Sequence, residues 1–225
     1  MVSGIIVAAG RGTRMGATLN KVFLKLDRMT VLEHTVAAFL HCDDINEIVV
    51  VTGHDDMDRC RALFADAPKK IIIVEGGQTR QESVYHGILA SNGDMVAIHD
   101  GARALILPSL ISQTIAECKM HGAAVLGVPA KDTIKLIDED GFIQKTLDRD
   151  RTYQIQTPQT FSKELILSAH QKGNNLTVTD DAALMEELNI PVKMVFGSYE
   201  NIKLTTPEDM SVAKAILKAR EVIDG

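Results

Sequence analysis

The sequence predicts an α/β fold in which a mostly parallel sheet is covered by helices on both faces. Short apolar runs rich in β-branched residues recur along the chain, and amphipathic helical patterns lie between them. This alternation is typical of parallel sheets, whose ligands bind beyond the carboxyl ends of the strands. With 225 residues, of which 45% are hydrophobic, the chain is long enough to form one large domain, 1–225.

The predicted strands are short, and their composition indicates that they are buried. They span residues 4–8, 48–52, 71–74, 95–99, 123–128 and 192–196. The two clearest helices occupy 32–40 and 110–118, where apolar residues recur at helical spacing. A last helix is predicted to start at Pro207, because Thr206 can cap it and Asp209 stands where a capping box has an acid.

One segment departs from the alternation of strands and helices. Residues 133–137 and 142–146 are two strand patterns joined by the acidic turn 138–141. We therefore predict a projecting β-hairpin arm at about 131–152. The acidic turn could bind a metal, but a solvated hairpin tip is the favoured interpretation, and no direct protein ligand for a metal is predicted.

Composition and charge exclude several classes of function. A formal net charge of −6 gives no overall positive field, so nucleic acid is not an expected partner. Cys42, Cys60 and Cys118 lie far apart without a metal-binding spacing and are expected to be buried free thiols. No leader pattern and no run of about 18 apolar residues occurs, so we expect a cytoplasmic protein without a membrane partner.

A glycine-rich loop follows the first predicted strand. It contains Gly10, Gly12 and Gly16, and the cations Arg14 and Lys21 lie in or just after it. Glycines allow backbone N–H groups to approach anionic oxygens, and cations neutralise the remaining charge, so we predict a phosphate cradle. The loop lacks the Gly-Lys-Ser/Thr of a Walker motif and the third glycine of the dinucleotide fingerprint.

Seven sequence blocks in one order resemble the 2-C-methyl-D-erythritol 4-phosphate cytidylyltransferase family over nearly the whole chain. The blocks are residues 8–15 with Lys21, 76–83, 99–103, 132–135, 156–159, 179–181 and 201–205. The resemblance implies a Rossmann-like sheet of the nucleotide-diphospho-sugar transferase type. It also implies a magnesium-dependent reaction of CTP with 2-C-methyl-D-erythritol 4-phosphate, in non-mevalonate isoprenoid biosynthesis, and a homodimer joined through the hairpin arm.

The resemblance also assigns binding residues for both substrates. Those expected at the nucleotide are Ala8, Ala9, Gly10, Gly12, Gly77, Ser83, Asp100 and Gly101. Those expected at the polyol phosphate are Asp100, Arg103, Thr133, Arg149, Thr157, Thr179 and Lys203. Ser83 could equally be an ordinary cap of the helix that follows it.

The reaction itself suggests which residues are catalytic. A phosphate monoester is already largely ionised at neutral pH, so no general base or nucleophilic side chain is required, and magnesium would be bound mainly through the CTP phosphates. Arg14 and Lys21 are predicted to stabilise charge in the transition state, and the resemblance assigns Arg149 and Lys203 to the acceptor phosphate. His99 is expected to be structural, because no proton transfer demands it.

One departure from the family pattern and several alternatives stay open. Ala104 stands where the family usually has proline after the arginine of the 99–103 block, so Arg103 could be less preorganised. The alternative enzyme is a ribitol-5-phosphate cytidylyltransferase, and a glycosyltransferase is more distant. The alternative from another class is a noncatalytic nucleotide-binding regulator, against which Arg14, Lys21 and Lys203 together argue.

Overall fold

The structure, a computed structural model, describes residues 1–10, 20–173 and 178–224. In chain order the strands are β1 (Val2–Val7), β2 (Lys25–Leu26), β3 (Met29–Thr30), β4 (Glu47–Thr52), β5 (Lys70–Glu75), β6 (Met95–Asp100), β7 (Ala123–Pro129), β8 (Lys135–Ile137), β9 (Ile143–Thr146), β10 (Tyr153–Ser162) and β11 (Lys193–Phe196). The helices are α1 (Val31–Leu40), α2 (Met57–Leu63), α3 (Arg80–Ala90), α4 (Pro108–His121), α5 (Lys163–Lys172), α6 (Asp181–Glu187) and α7 (Pro207–Asp224). Within the described residues, no helix combines the length and apolarity needed to span a bilayer.

The central sheet has seven strands in the order β11-β7-β10-β6-β1-β4-β5. The pairs β1–β4, β1–β6, β4–β5 and β7–β11 are parallel, whereas β10 runs antiparallel to both of its neighbours, β6 and β7. The prediction of a mostly parallel α/β sheet is therefore confirmed. That residues 1–225 form a single domain stays a prediction.

Helices cover both faces of the sheet because successive strand residues point to opposite sides. Ile6 packs in one apolar cluster with side chains of α1, α2 and α4, while its neighbour Ile5 packs in another with α3, α5 and α6. A third, smaller cluster joins α7 to the segment around Leu105 and Leu204. The sheet is thus buried on both faces, which explains its nearly continuous apolar strands.

Local sequence signals account for several element boundaries. The backbone N–H of Thr206 donates to Asp209 and the N–H of Asp209 donates back to the Thr206 hydroxyl, so the predicted cap of α7 is confirmed. The three cysteines are free and buried, as expected. The hairpin is formed by β8 and β9, with Gly141 in its turn at φ 86°.

Two sequence-based assignments differ from the structure. β10 was not predicted, because Pro158 and several polar residues within 153–162 are not typical of a buried strand. Lys203 was expected among strand residues, but residues 201–205 belong to no strand. Contacts of the neighbouring Asn201 and Leu204 side chains with the body of the protein hold this segment in place.

Candidate active site

A cleft of about 830 Å³ opens beyond the carboxyl ends of β1, β5 and β6. Of the residues predicted to bind substrates or act in catalysis, several line this cleft: Ala8, Ala9, Gly10, Lys21, Gly77, Ser83, Asp100 and Lys203. This is the place where parallel sheets bind ligands. Gly12 and Arg14 lie outside the described residues.

The end of β1 is fixed by backbone and amide contacts. The N–H of Ala8 donates to the carbonyl of Val51 at 2.7 Å, and the Asn20 amide donates to the carbonyl of Ala8 at 2.8 Å. Asn20 also begins the short 3₁₀ helix Lys21–Phe23, so the same side chain fixes both Ala8 and Lys21 at the cleft. Gly101, behind β1, donates its N–H to the carbonyl of Val7 at 2.8 Å.

A second loop, residues 76–79, forms the opposite wall and is called the Gly76 loop below. A Cβ on Gly76 would lie 2.5 Å from the Cβ of Ala9 and 2.9 Å from the Ser83 hydroxyl oxygen, so the two loops can touch only through a glycine. The N–H of Gly77 donates to the Ser83 hydroxyl at 3.1 Å, and that hydroxyl donates to the carbonyl of Thr79 at 2.9 Å.

The cap of α3 is Thr79 and not Ser83. Thr79 accepts from the backbone of Glu82, whose carboxylate accepts in return from the backbone of Thr79, which is a complete capping box. The alternative role considered for Ser83, a helix cap, is therefore wrong. Its hydroxyl instead joins the Gly76 loop to the helix.

Asp100, at the end of β6, is surrounded by cations. Its carboxylate lies 2.8 Å from Lys203 Nζ, 3.4 Å from Arg80 Nε and 3.7 Å from Arg103 Nε. We call these four side chains the Asp100 cluster. Burial alone would raise the pKa of Asp100, but Arg80 and Lys203 outweigh it and hold that pKa well below its ordinary value. The carboxylate is therefore ionised despite being almost fully buried.

A chain of hydrogen bonds fixes Asp100 from behind. The N–H of Asp100 donates to the Thr157 hydroxyl at 3.1 Å, and that hydroxyl lies 3.0 Å from His99 Nδ1. His99 Nε2 lies 3.1 Å from the carbonyl of Arg103, which can only accept, so Nε2 carries the proton and Nδ1 accepts from Thr157. Burial lowers the pKa of His99 to about 4, so the ring is neutral. The histidine is structural, as expected from the sequence.

Arg103 is held firmly although Ala104 follows it. Its guanidinium donates to the carbonyl of Asn201 at 2.7 Å, and the Asn201 amide donates to the carbonyl of Thr157 at 2.9 Å. Ala104 itself packs in the small apolar cluster below α7. These tertiary contacts thus restrict Arg103, as a proline at position 104 would otherwise do.

Arg80 and Asp181 were missed by sequence reasoning. The two terminal nitrogens of Arg80 donate to the two carboxylate oxygens of Asp181 at 3.1 and 2.8 Å, while Nε faces Asp100. The pair is separated by 101 residues, so no spacing could reveal it. The available signal was an arginine three positions after a glycine pair at a strand end, directly after a threonine that can cap a helix.

Six described site residues that the sequence predicted do not line the cleft. Of these, Gly101, Arg103 and Thr157 lie next to Asp100 in the chain or contact it. Thr133 and Arg149 are exposed near the base of the hairpin arm, and Thr179 is exposed just before α6. Arg149 lies on the short 3₁₀ helix Arg149–Arg151. Within the described residues, the cleft therefore lacks the acceptor contacts expected from the arm.

The charges around the cleft favour an anionic ligand. Arg80, Arg103 and Lys203 meet the carboxylates Asp100 and Asp181, which leaves one positive charge in excess. In the described part of the chain, no group of three or more histidine, cysteine or acidic side chains could hold a metal ion by itself. The site can therefore stabilise phosphate charge.

Converging cations beside a loop backbone, at the carboxyl ends of a mostly parallel sheet, suit the chemistry of a nucleotidyltransferase. The sequence model of one family, described as "IspD: 2-C-methyl-D-erythritol 4-phosphate cytidylyltransferase", matches residues 2–219. The chain belongs to this family, as the resemblance in the sequence indicated.

Individual relatives agree with this assignment. The chain is 46% identical to the 2-C-methyl-D-erythritol 4-phosphate cytidylyltransferase of Desulforamulus reducens, with 97% of each chain covered. It is also 46% identical to the enzyme of that name from Caldanaerobacter subterraneus, covering 96% of this chain and 99% of the relative. The crystal structure of 4-diphosphocytidyl-2C-methyl-D-erythritol synthase from Anaerococcus prevotii is similar, with a TM-score of 0.88, 35% identity and coverage of 96% and 98%.

Proposed function

We propose that the cleft is the site where CTP and 2-C-methyl-D-erythritol 4-phosphate react to give 4-diphosphocytidyl-2-C-methyl-D-erythritol and pyrophosphate. One observation carries this proposal: Ala8, Gly76 and Ser83 line the same cleft as Arg80, Asp100 and Lys203. A nucleotide bound along the Gly76 loop would therefore meet an acceptor phosphate at Lys203. The product serves non-mevalonate isoprenoid biosynthesis.

The chemical step is a displacement at phosphorus. An oxygen of the acceptor phosphate attacks the α-phosphorus of CTP, a new P–O bond forms, and the bond from the α-phosphorus to the bridging oxygen of the β-phosphate breaks. Pyrophosphate leaves with that electron pair, so no proton has to be removed from the ionised nucleophile. The task of the protein is to align the reactants and to stabilise the growing negative charge.

Lys21 is the proposed charge stabiliser on the nucleotide side. The contacts of Asn20 hold the start of its 3₁₀ helix next to Ala8, and its side chain lines the cleft. Arg14 is proposed for the same role from the sequence alone. A planar guanidinium and a compact ammonium suit different phosphate oxygens, so the two cations are complementary.

The nucleotide base is proposed to bind against the Gly76 loop. The loop is close to Ala9 because Gly76 has no side chain, and both residues line the cleft. The Ser83 hydroxyl already donates to the carbonyl of Thr79, so toward the base it is available as an acceptor, as for the amino group of cytosine. Ala8, Gly10 and Gly101 would border the ribose and phosphates.

Magnesium is proposed to be bound mainly by the triphosphate and by water. Asp100 is the carboxylate that the cluster brings to the cleft, and cations already engage both of its oxygens. An ion that keeps several waters and sits on substrate phosphates suits this arrangement. When bound, it would neutralise part of the phosphate charge.

The acceptor is proposed to bind on the side of Lys203. Its ammonium pairs with Asp100, but the Lys203 side chain is 42% exposed, so it can turn toward a phosphate while Arg80 and Arg103 stay paired with Asp100. Arg103 and Thr157 are proposed to hold Asp100 and to border the polyol, and Thr179 to contact its hydroxyls from the start of α6.

A second copy of the chain is proposed to supply Thr133 and Arg149 to this cleft. Neither residue lines the cleft of its own chain, and both lie at the base of an arm with four exposed apolar side chains: Leu136, Ile137, Phe142 and Ile143. A two-stranded ribbon is marginally stable alone, and an exposed apolar patch indicates a partner surface. A homodimer in which arms are exchanged would satisfy both observations. The cytoplasmic location expected from the sequence stays a prediction.

The test is pyrophosphate release measured with each nucleoside triphosphate and with several polyol phosphates. We expect activity with CTP and 2-C-methyl-D-erythritol 4-phosphate, at a kcat/KM well above that for ribitol 5-phosphate. Both acceptors present a phosphate, so selection must come from the branching methyl and the hydroxyls, each misfit contributing about 1 to 3 kcal/mol.

The outcomes separate the alternatives. An equal or higher kcat/KM with ribitol 5-phosphate would make the chain a ribitol-5-phosphate cytidylyltransferase. Binding of CTP without pyrophosphate release from any acceptor would instead indicate a noncatalytic regulator.

A further inference from the structure

Arg80 bridges two carboxylates that belong to different parts of the proposed site. Its terminal nitrogens contact both oxygens of Asp181 at 3.1 and 2.8 Å, and its Nε lies 3.4 Å from Asp100. The side chain of Asp181 is only 2% exposed and that of Asp100 11%. A bidentate contact of this kind fixes orientation as well as distance.

On the nucleotide side, the Gly76 loop and Arg80 belong to one rigid segment of the backbone. Arg80 is the first residue of α3 and directly follows the Gly76 loop. The capping box of Thr79 with Glu82, together with the contact of Glu82 with the N–H of Gln78 at 2.6 Å, makes the loop and the start of α3 one unit. Any shift of the loop on binding a base would therefore move the backbone of Arg80.

The acceptor side of the bridge is the start of α6. Asp181 is its first residue, two positions after Thr179. The Gln159 side chain of β10 accepts from the N–H groups of Asp181 and Ala182 and donates to Asp180, which ties this turn to the sheet. The Arg80 side chain thus joins this turn to the helix start that follows the Gly76 loop.

Arg80 is poorly suited to be a direct phosphate ligand. Three of its N–H donors face carboxylates, and the charges of Asp100 and Asp181 balance its own. Lys203, by contrast, shares a single carboxylate and is more exposed. The geometry therefore favours a positioning role for Arg80 over contact with the triphosphate.

We propose that Arg80 is a positioning residue that couples the two substrate sites, so that a base bound at the Gly76 loop orders Asp181 and Asp100 for the acceptor. This inference rests on the proposed function, because it assigns the Gly76 loop to the nucleotide and Thr179 and Asp100 to the polyol phosphate. Coupling between sites is reciprocal, so bound acceptor also strengthens nucleotide binding by the same factor.

The experiment measures this coupling directly by calorimetry. The affinity for 2-C-methyl-D-erythritol 4-phosphate is determined with and without a saturating, nonhydrolysable CTP analogue, in the wild type and in Arg80→Gln, Arg80→Lys and Asp181→Asn. Arg220→Gln is the matched control, because Arg220 makes an ion pair with two nitrogens at Glu200 and its side chain is similarly exposed, 22% against 29% for Arg80.

We expect the analogue to raise acceptor affinity in the wild type within the usual range of about 5- to 150-fold. The factor should fall to about 1 in the three site variants and stay unchanged in Arg220→Gln. Arg80→Lys keeps the charge but cannot form the two-pronged contact, so loss of coupling in this variant separates bridging from charge. The KM for the acceptor should rise about tenfold, while the analogue alone binds within about twofold of wild type.

Several results would overturn the inference. These are a wild type without coupling, a folded Asp181→Asn or Arg80→Lys variant with wild-type coupling, or an Arg80→Gln variant that loses only analogue affinity, which would make Arg80 a direct nucleotide ligand. If Arg80→Gln fails to fold, Asp181→Asn decides. Failure of the proposed function is recognised separately, because the wild type would then release no pyrophosphate from CTP and the acceptor.

Discussion

The cations of the site differ in how they are held, and this difference suggests their tasks. Arg80 and Arg103 are fixed by further polar contacts, to Asp181 and to the carbonyl of Asn201, and keep Asp100 in place. Lys203 pairs with Asp100 only through the tip of a partly exposed side chain. Lys21 lies on the other side of the cleft, at the end of β1. Fixed cations suit preorganisation, whereas the partly exposed Lys203 is suited to meet a moving phosphate.

Lys21→Ala should lower kcat by about two to three powers of ten, because removal of one preorganised charge stabiliser has an effect of this size. We expect the same of Arg14→Ala. Steady-state pyrophosphate release provides the measurement, and circular dichroism checks the fold. Lys25→Ala serves as the control, since Lys25 is exposed outside the cleft and should retain full activity. A folded Lys21→Ala protein with near-wild-type kcat would remove the assigned role.

His99 should make stability depend on pH. Its pKa in the folded protein is about 4, against 6.5 for the model compound, so the unfolded chain binds more protons between these values. The free energy of unfolding should therefore decrease as the pH falls from about 6.5 toward 4. Urea unfolding of the wild type and His99→Gln at several pH values measures the difference in slope. Parallel curves would argue against a buried neutral His99.

Residues could be predicted from the sequence where the signal is local. Gly10, Gly77, Lys21, Asp100 and Lys203 were found from short motifs or from the family resemblance, and the structure brings them to one cleft. Arg80 with Asp181, and Thr157 with His99, depend on contacts between distant segments. Their roles appear only when strands and helices are packed, because the chemistry of each side chain alone allows many partners.

At the scale of elements, apolar patterns located the parallel strands of the central sheet and the helices α1 and α4 to within a few residues, whereas α2, α3, α5 and α6 were not predicted. β10 was not predicted, because its residues are buried by the two strands beside it although many of them are polar. Its pairing with β7 shifts register between Ile155 and Gln159, and the shift leaves Gln156 and Thr157 to contact Asn201 and Asp100. Irregular strand segments next to active sites are common, and they are hard to predict from patterns of alternation.

The hairpin arm should carry the dimer contact. Phe142 is 71% exposed at the arm and is expected to be buried by a second copy. Phe142→Asp should shift the protein from dimer to monomer in light scattering and reduce turnover, because Thr133 and Arg149 would no longer reach a partner's cleft. Met120→Asp is the matched control, since Met120 is 67% exposed on α4 and should change neither property. An active wild-type monomer at assay concentration would contradict the prediction.

At the scale of the molecule, the two ends of the parallel strands have separate tasks. The amino ends are joined by Glu47, whose buried carboxylate accepts from the Ser3 hydroxyl at 2.8 Å and from the Asn92 N–H and side chain at 2.6 and 2.9 Å. Substrates are proposed to bind only at the opposite, carboxyl ends. Stability and activity should therefore respond to different substitutions.

Glu47→Ala should lower the free energy of unfolding by about 3 kcal/mol, because each buried donor left unsatisfied costs about 1 to 3 kcal/mol. Urea unfolding measures this change. Well below the melting temperature, kcat/KM should stay within twofold of wild type. Glu187→Ala, at an exposed position of α6, should change stability by less than about 0.5 kcal/mol. A large loss of kcat/KM in folded Glu47→Ala would show that the two ends are coupled.

The position of β10 has a consequence for synthesis on the ribosome. β10 is the strand that joins the β5-β4-β1-β6 block to the β7-β11 pair, yet it follows both β6 and β7 in the chain. A nascent chain that has not yet released residues 153–162 therefore has an open edge on β6 and no sheet partner for β7. Exposed strand edges invite pairing with other chains. If translation is delayed after β7 has been synthesised, the nascent chain would thus be prone to aggregate until β10 pairs with β6 and β7.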